Sequence, residues 1–277
     1  MYPKSAMTVR LNWLKLWRSL LVVTIYLVVS LQAQAGVIDD ELWPAIHEAF
    51  FAGKTVEDGN RLIQITAPPV AEDAGLVPIS VGIDTLHSDA LQVAKVYLIT
   101  DANPVQLTAI FHFPKNKQPI HFSTRVRLEK SSYMRAIAET RDGRYYMHKV
   151  GIKTPGGGCG GGIGSDEAQL RAEAGRMKVQ LADPVRYGEV NTLSFNIKHP
   201  MRTGFERTVY GYYAKPYFIK RLDFMLDNAP LMSVDVGVGI SANPYIRFEF
   251  IPSGSATIDI LAQDNEDRHY QQEIRVP

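Results

Sequence analysis

The only cysteine in the chain, Cys159, lies in the middle of Thr154-Pro155-Gly156-Gly157-Gly158-Cys159-Gly160-Gly161-Gly162-Ile163-Gly164. A thiolate is a nucleophile and a redox handle, so the residue type points to covalent attachment or thiol exchange. Cysteines are usually buried as small hydrophobes. Here the flanking residues are glycines, which lack a Cβ and cannot fill a core. The run predicts an exposed, mobile thiol on a flexible arm built from Gly156, Gly157, Gly158, Gly160, Gly161, Gly162 and Gly164. Cys159 is the candidate covalent attachment point. A dimer linked through Cys159, or a simple spacer, is the plainer alternative.

Other chemistry finds less support. A hydrolase needs a nucleophile, a base and an oxyanion site in fixed relation, and a glycine run fixes nothing. Lys149, Lys153 and His148 precede the arm, but a flexible arm sets no distance to them. Gly156 to Gly161 formally matches G-x-G-x-x-G, a pattern that signals dinucleotide binding only when a strand leads in and a helix opens after it. The surroundings here are β-rich. The seven histidines do not cluster. His112 and His121 lie on strands adjacent in sequence and can meet across a pair, or simply face solvent. A blue-copper site wants His and Met close behind the cysteine, whereas the next candidates are Met177 and His199. We therefore expect no catalytic residues, no metal and no cofactor. Tyr210-Gly211-Tyr212-Tyr213 is either an interaction surface or ordinary strand-edge aromatics.

The elements that must carry the arm follow a simple order. Residues 1–35 read as a secretory signal. Arg10, Lys15 and Arg18 form a basic region, Ser19 to Leu31 an apolar stretch, and Ala33-Gln34-Ala35 a cleavage site before Gly36. The apolar stretch is short for a span of about twenty residues, so cleavage is favoured over a retained anchor. No stable membrane insertion is expected afterwards, and the expected compartment is the periplasm. A formal net charge of +1 gives no concentrated basic field and argues against nucleic acid.

Asp39 to Phe51 predicts a short helix, capped by Asp39 or Asp40, with Leu42, Ile46, Ala49 and Phe50 on one face. The period then changes to two. Strands are predicted at Leu62–Thr66, Ile79–Ile83, Lys95–Ile99, Ala109–Phe113, Ser123–Leu128, Tyr133–Ala138 and Tyr145–Ile152. Turn signals such as Asp101-Ala102-Asn103-Pro104 and Asp142-Gly143 separate them. Ser165 to Arg176 is linker or frayed helix. Strands resume at Met177–Leu181, Thr192–Ile197, Tyr217–Met225, Met232–Val236, Ile246–Ile251, Ala256–Leu261 and Tyr270–Val276. Two sets of about seven strands fit two antiparallel sandwiches. The expected domains are 36–153 and 177–277, with the arm and linker at 154–176 between them.

The glycine-flanked cysteine resembles the GGCGG-type motif of SoxY, the sulfur-carrier subunit of the sulfur-oxidising Sox system. Ile65-Thr66-Ala67-Pro68-Pro69-Val70-Ala71-Glu72-Asp73-Ala74-Gly75-Leu76-Val77-Pro78-Ile79 resembles its early strand and turn. Lys198-His199-Pro200-Met201-Arg202-Thr203-Gly204, Pro216-Tyr217-Phe218-Ile219, Ser241-Ala242-Asn243-Pro244-Tyr245 and Asp264-Asn265 resemble its partner SoxZ. The whole is similar to a SoxY–SoxZ fusion of the subgroup associated with quinoprotein dehydrogenases. That resemblance implies an all-β protein, two immunoglobulin-like antiparallel β-sandwiches joined by a flexible Gly-rich arm, with a short N-terminal helix. It implies that Cys159 carries sulfur intermediates of the thiosulfate type between partner enzymes, among them a c-type cytochrome, or serves a quinoprotein dehydrogenase. The alternative is a non-catalytic binding module docking that dehydrogenase or its cytochrome. The family arm is a chain end, whereas this one continues into a second domain. A loop of about ten residues spans at most about 33 Å, and its apex reaches half of that. A narrow channel would exclude a doubled chain, so either the partner differs or the chain is clipped near the arm.

Overall fold

The computed structural model describes residues 38, 40–83, 92–115, 118–160 and 167–277. The expected signal (1–35) and the glycines Gly161, Gly162 and Gly164 lie outside them. Helix α1 (Trp43–Phe51) leads into β1 (Val56–Asp58), β2 (Ile63–Thr66), β3 (Val77–Ile83), β4 (Val93–Thr100), β5 (Leu107–His112), β6 (Ile120–Val126), β7 (Ser132–Thr140) and β8 (Tyr145–Ile152). Helix α2 (Glu167–Glu173) follows. The second half is β9 (Met177–Leu181), β10 (Asn191–Ile197), β11 (Ile219–Leu226), β12 (Ala229–Val236), β13 (Tyr245–Phe250), β14 (Ala256–Asp264) and β15 (His269–Val276).

Strand alternation does most of the folding. Val77, Ile79, Val81 and Ile83 of β3 point inward, as do Leu193, Phe195 and Ile197 of β10. A period of two places such residues on one sheet face. Two sheets result, one of nine strands in the order β1-β8-β7-β4-β5-β12-β11-β14-β15 and one of six in the order β2-β3-β6-β13-β10-β9. Among the described strands, β1 against β8 is parallel and the other pairings are antiparallel.

Both sheets run through both halves of the sequence. β5 pairs with β12, placing Phe111 opposite Val234, and β6 pairs with β13, placing Phe122 opposite Phe248. The two expected sandwiches are thus joined edge to edge, with one apolar core holding Phe111, Phe122, Phe195, Phe224, Val234 and Phe248. Phe111 and Phe122 stack across the layers with ring centroids 3.9 Å apart. The connection is therefore a seam of strands as well as an arm. Pairing covers the four edges, of β5, β12, β6 and β13, that would otherwise be left open.

Two local expectations change. α1 begins at Trp43, because the Asp40 carboxylate goes to Arg135 and Lys149 instead of capping the helix. Its buried residues are Ile46 and Phe51, whereas Leu42, Ala49 and Phe50 are exposed. Phe51 sets that face by meeting Tyr97 and Tyr145 edge-on at 5.3 and 5.7 Å. His112 and His121 do not meet, since β5 and β6 belong to different sheets. His112 bonds Asp235 and His121 bonds Glu249, each at 2.6 Å and each across the seam. Among the described residues no helix is long and apolar enough to cross a membrane.

Candidate functional site

Cys159 is buried, with 4% of its surface exposed. This corrects the expectation of an exposed thiol, and the reason lies in the glycines. The arm's first residues lie along the segment that follows β6. Gly157 N–H donates to Glu129 O and Gly158 N–H to Leu128 O, both at 3.0 Å. Leu128 N–H in turn donates to Ala74 O at 2.8 Å. A Cβ on Gly158 would stand 2.2 Å from Ala74 O, and one on Gly156 2.7 Å from Glu129 O. Glycine at these positions thus permits close backbone approach as well as freedom. Gly156 and Gly157 also take left-handed φ values of +89° and +79°.

Both halves grip the cysteine. From the first, Glu129 Oε2 accepts Cys159 N–H at 3.1 Å. From the second, Thr203 Oγ1 donates to Cys159 O at 2.7 Å. Glu206 Oε2 lies 2.8 Å from the same hydroxyl, and that carboxylate also accepts the Thr203 and Gly204 N–H groups. Arg127 stands between the halves. It contacts Glu206 at 3.6 Å and donates to Pro200 O at 3.3 Å. Asn103 holds the dock in shape, accepting Glu129 N–H and donating to Arg127 O, each at 2.8 Å.

The electrostatics keep the thiol protonated. Burial, then the Glu129 charge, push Cys159 up to about 11, against the partial help of Arg127; Glu206 adds to the rise. Burial also lowers Arg127 from its ordinary value. Of the earlier candidate cations, Lys149 pairs with Asp40 and His148 donates to Ile63 O. Arg127 was not a candidate on sequence grounds, nor were Glu129, Thr203 and Glu206. Only the Thr203 loop carried a signal, through the Lys198–Gly204 segment.

That segment is tightly built. His199 is buried, its Nδ1 accepts Met201 N–H at 3.2 Å, and its ring packs on Tyr217 at 4.2 Å. Burial holds the imidazole down at about 4, so it stays neutral. Met201 adopts a left-handed φ of +51°, which turns the chain toward Thr203. Among the described residues no group of three or more His, Cys, Asp or Glu side chains is placed to hold a metal.

The loop and the arm are matched by two family models in tandem, "Sulfur oxidation protein SoxY" over residues 47–159 and "Sulphur oxidation protein SoxZ" over residues 177–275. The chain is a SoxY–SoxZ fusion. The SoxY match closes on Cys159, and Thr203 and Glu206 belong to the SoxZ half. Among solved structures, the sulfur carrier protein SoxY from Chlorobium limicola f thiosulfatophilum is 20% identical with a TM-score of 0.33, covering 42% of this chain and 98% of its own. Superoxide reductase (neelaredoxin) from Ignicoccus hospitalis T24K is 15% identical with a TM-score of 0.28, covering 40% of this chain and 91% of its own. No curated protein matches the chain.

Proposed function

We propose that this SoxY–SoxZ fusion is an exported, periplasmic carrier that bears sulfur intermediates covalently on Cys159 and delivers them to partner enzymes. The observation that carries this reading is the position of the sole thiol. It is the last residue of the SoxY match and is held by side chains from both halves. The protein supplies the attachment atom and the docking surfaces, and the partners supply the catalysis. Loading with thiosulfate joins the Cys159 thiolate to the outer sulfur of the anion. The product is a cysteine S-thiosulfonate, and two electrons leave for an acceptor such as a c-type cytochrome. Because only the thiolate attacks, the docked, protonated Cys159 is the resting form and the reacting form is undocked. The partner is a sulfur-oxidation enzyme or, following the subgroup resemblance, a quinoprotein dehydrogenase.

Burial of the thiol favours one second reading, a binding module that docks the dehydrogenase or its cytochrome and leaves Cys159 unloaded. Intact-mass measurement on protein from its own periplasm separates the two. A reducible sulfur or thiosulfate increment mapped to Cys159, absent from Cys159→Ser at unchanged melting temperature, is the expected result. A bare thiol that stays unloaded in thiosulfate plus native periplasmic extract would leave the binding module standing.

A further inference from the structure

The hairpin that begins at the Cys159 contact ends in an exposed aromatic tip. Arg202 and Tyr217 exchange backbone hydrogen bonds at 2.7 and 3.0 Å; Ala214 N–H donates to Glu206 O and Thr208 N–H to Tyr212 O. Gly211, at φ +81°, closes the turn. Tyr210, Tyr212 and Tyr213 are 83%, 75% and 62% exposed, and Val209 beside them is 78% exposed. Arg207 lies over the Tyr213 ring at 4.3 Å and donates to Gly211 O at 2.8 Å, so the tip is pre-ordered. Contiguous exposed apolar surface marks interaction sites, and tyrosine with arginine is the usual composition of binding hot spots. The charge is one-sided. Arg207 and Lys215 are exposed, Arg202 is tied to Glu167, and the hairpin's only carboxylate, Glu206, is buried.

We propose that residues 203–216 form the docking element for the enzyme that acts on Cys159, and that their root is the latch that keeps the thiol covered until that enzyme arrives. The proposal rests on the carrier reading. The occupant is a protein face with apolar pockets for the tyrosines and carboxylates opposite Arg207 and Lys215. Any enzyme that reaches Cys159 must approach beside this hairpin, because Thr203 joins the two directly. The latch opens at small cost. The Thr203 hydroxyl has one proton and two acceptors, Cys159 O at 2.7 Å and Glu206 Oε2 at 2.8 Å. When the arm leaves, the proton turns to Glu206 and no buried donor is stranded.

The experiment places the photo-crosslinker p-benzoylphenylalanine at Tyr212 in one full-length variant and at Gly160, where a Cβ meets open space, in another. Both are irradiated in native periplasmic extract. Capture of the same chain from both positions is expected. Tyr210→Ser, Tyr212→Ser and Tyr213→Ser together should cut capture from position 160 by roughly tenfold, as for a lost hot spot. Equal capture without the tyrosines overturns the docking element and leaves the carrier reading intact. No capture from position 160, together with an unloaded Cys159, overturns both. For the latch, Thr203→Val should speed iodoacetamide alkylation of Cys159, and Thr203→Ser should restore the slow rate. Equal rates in all three overturn the latch.

Discussion

At Gly158 one methyl group separates two states of the arm. The Ala74 and Leu128 carbonyls that receive this stretch are backbone, so a Cβ at 2.2 Å from Ala74 O has nothing flexible to push aside. Gly158→Ala should lift the arm and speed Cys159 alkylation, whereas Gly160→Ala, which meets open space, should leave the rate unchanged. The pH profile gives a sharper signature. A free thiol ionises near 8.5, whereas the docked thiol holds its proton up to about 11. The docked state therefore binds more protons than the undocked state across that window. Docking is fully favourable below about 8.5 and weakens by about 1.4 kcal/mol per pH unit above it. The wild-type alkylation rate should go on climbing through this window. That of Gly158→Ala should level off near 8.5, since its arm is already free. Superimposable profiles would remove the docked thiol from the account.

Among the elements, α1 and the β4–β5 turn meet at a buried cation. Arg135 is fully buried, donates to Asp101 Oδ2 at 2.6 Å, and lies over the Trp43 ring at 4.4 Å. Removing one partner of such a pair strands a charge, which typically costs about 3–5 kcal/mol. Asp101→Ala should lower the unfolding free energy in denaturant titration by about that much, and Asp101→Asn by less. A loss under about 1 kcal/mol, the range of exposed pairs, would mean Asp40 alone holds the guanidinium. Asp101 was legible only as a turn residue. The strands read well for a physical reason, since alternation is local and is written in consecutive residues. β8 and β9 have the bounds their patterns predict, Tyr145–Ile152 and Met177–Leu181. β1 was missed because Val56-Glu57-Asp58 is too short to show a period. The site resisted for the opposite reason. Arg127, Glu129, Thr203 and Glu206 come from segments far apart in sequence, and no local pattern announces that they converge on Cys159. The glycine run was legible as composition, but its docking groove is made of carbonyls, which every residue has.

At the scale of the whole molecule the decisive feature is the seam. The backbone pairing is joined there by His112–Asp235, His121–Glu249 and Thr124 Oγ1 donating to Tyr245 O at 2.8 Å. Arg127 N–H also donates to Gly239 O, and Ser241 N–H to Arg125 O. Halves that share two sheets and one core should unfold together, giving a single calorimetric transition whose calorimetric and van't Hoff enthalpies agree. The same seam makes the arm dispensable as a tether. If the chain is cut at a protease site placed between Gly160 and Glu167, the fragments should still elute as one species, and only denaturant should separate them. Separation in native buffer would mean that the covalent link holds the halves together. Retention would have a functional consequence. The cut would turn a closed loop into a free end bearing Cys159, the form able to enter a narrow channel. Comparing turnover of intact and cut protein by one partner enzyme then distinguishes an open cleft, which accepts both, from a channel, which accepts only the free end.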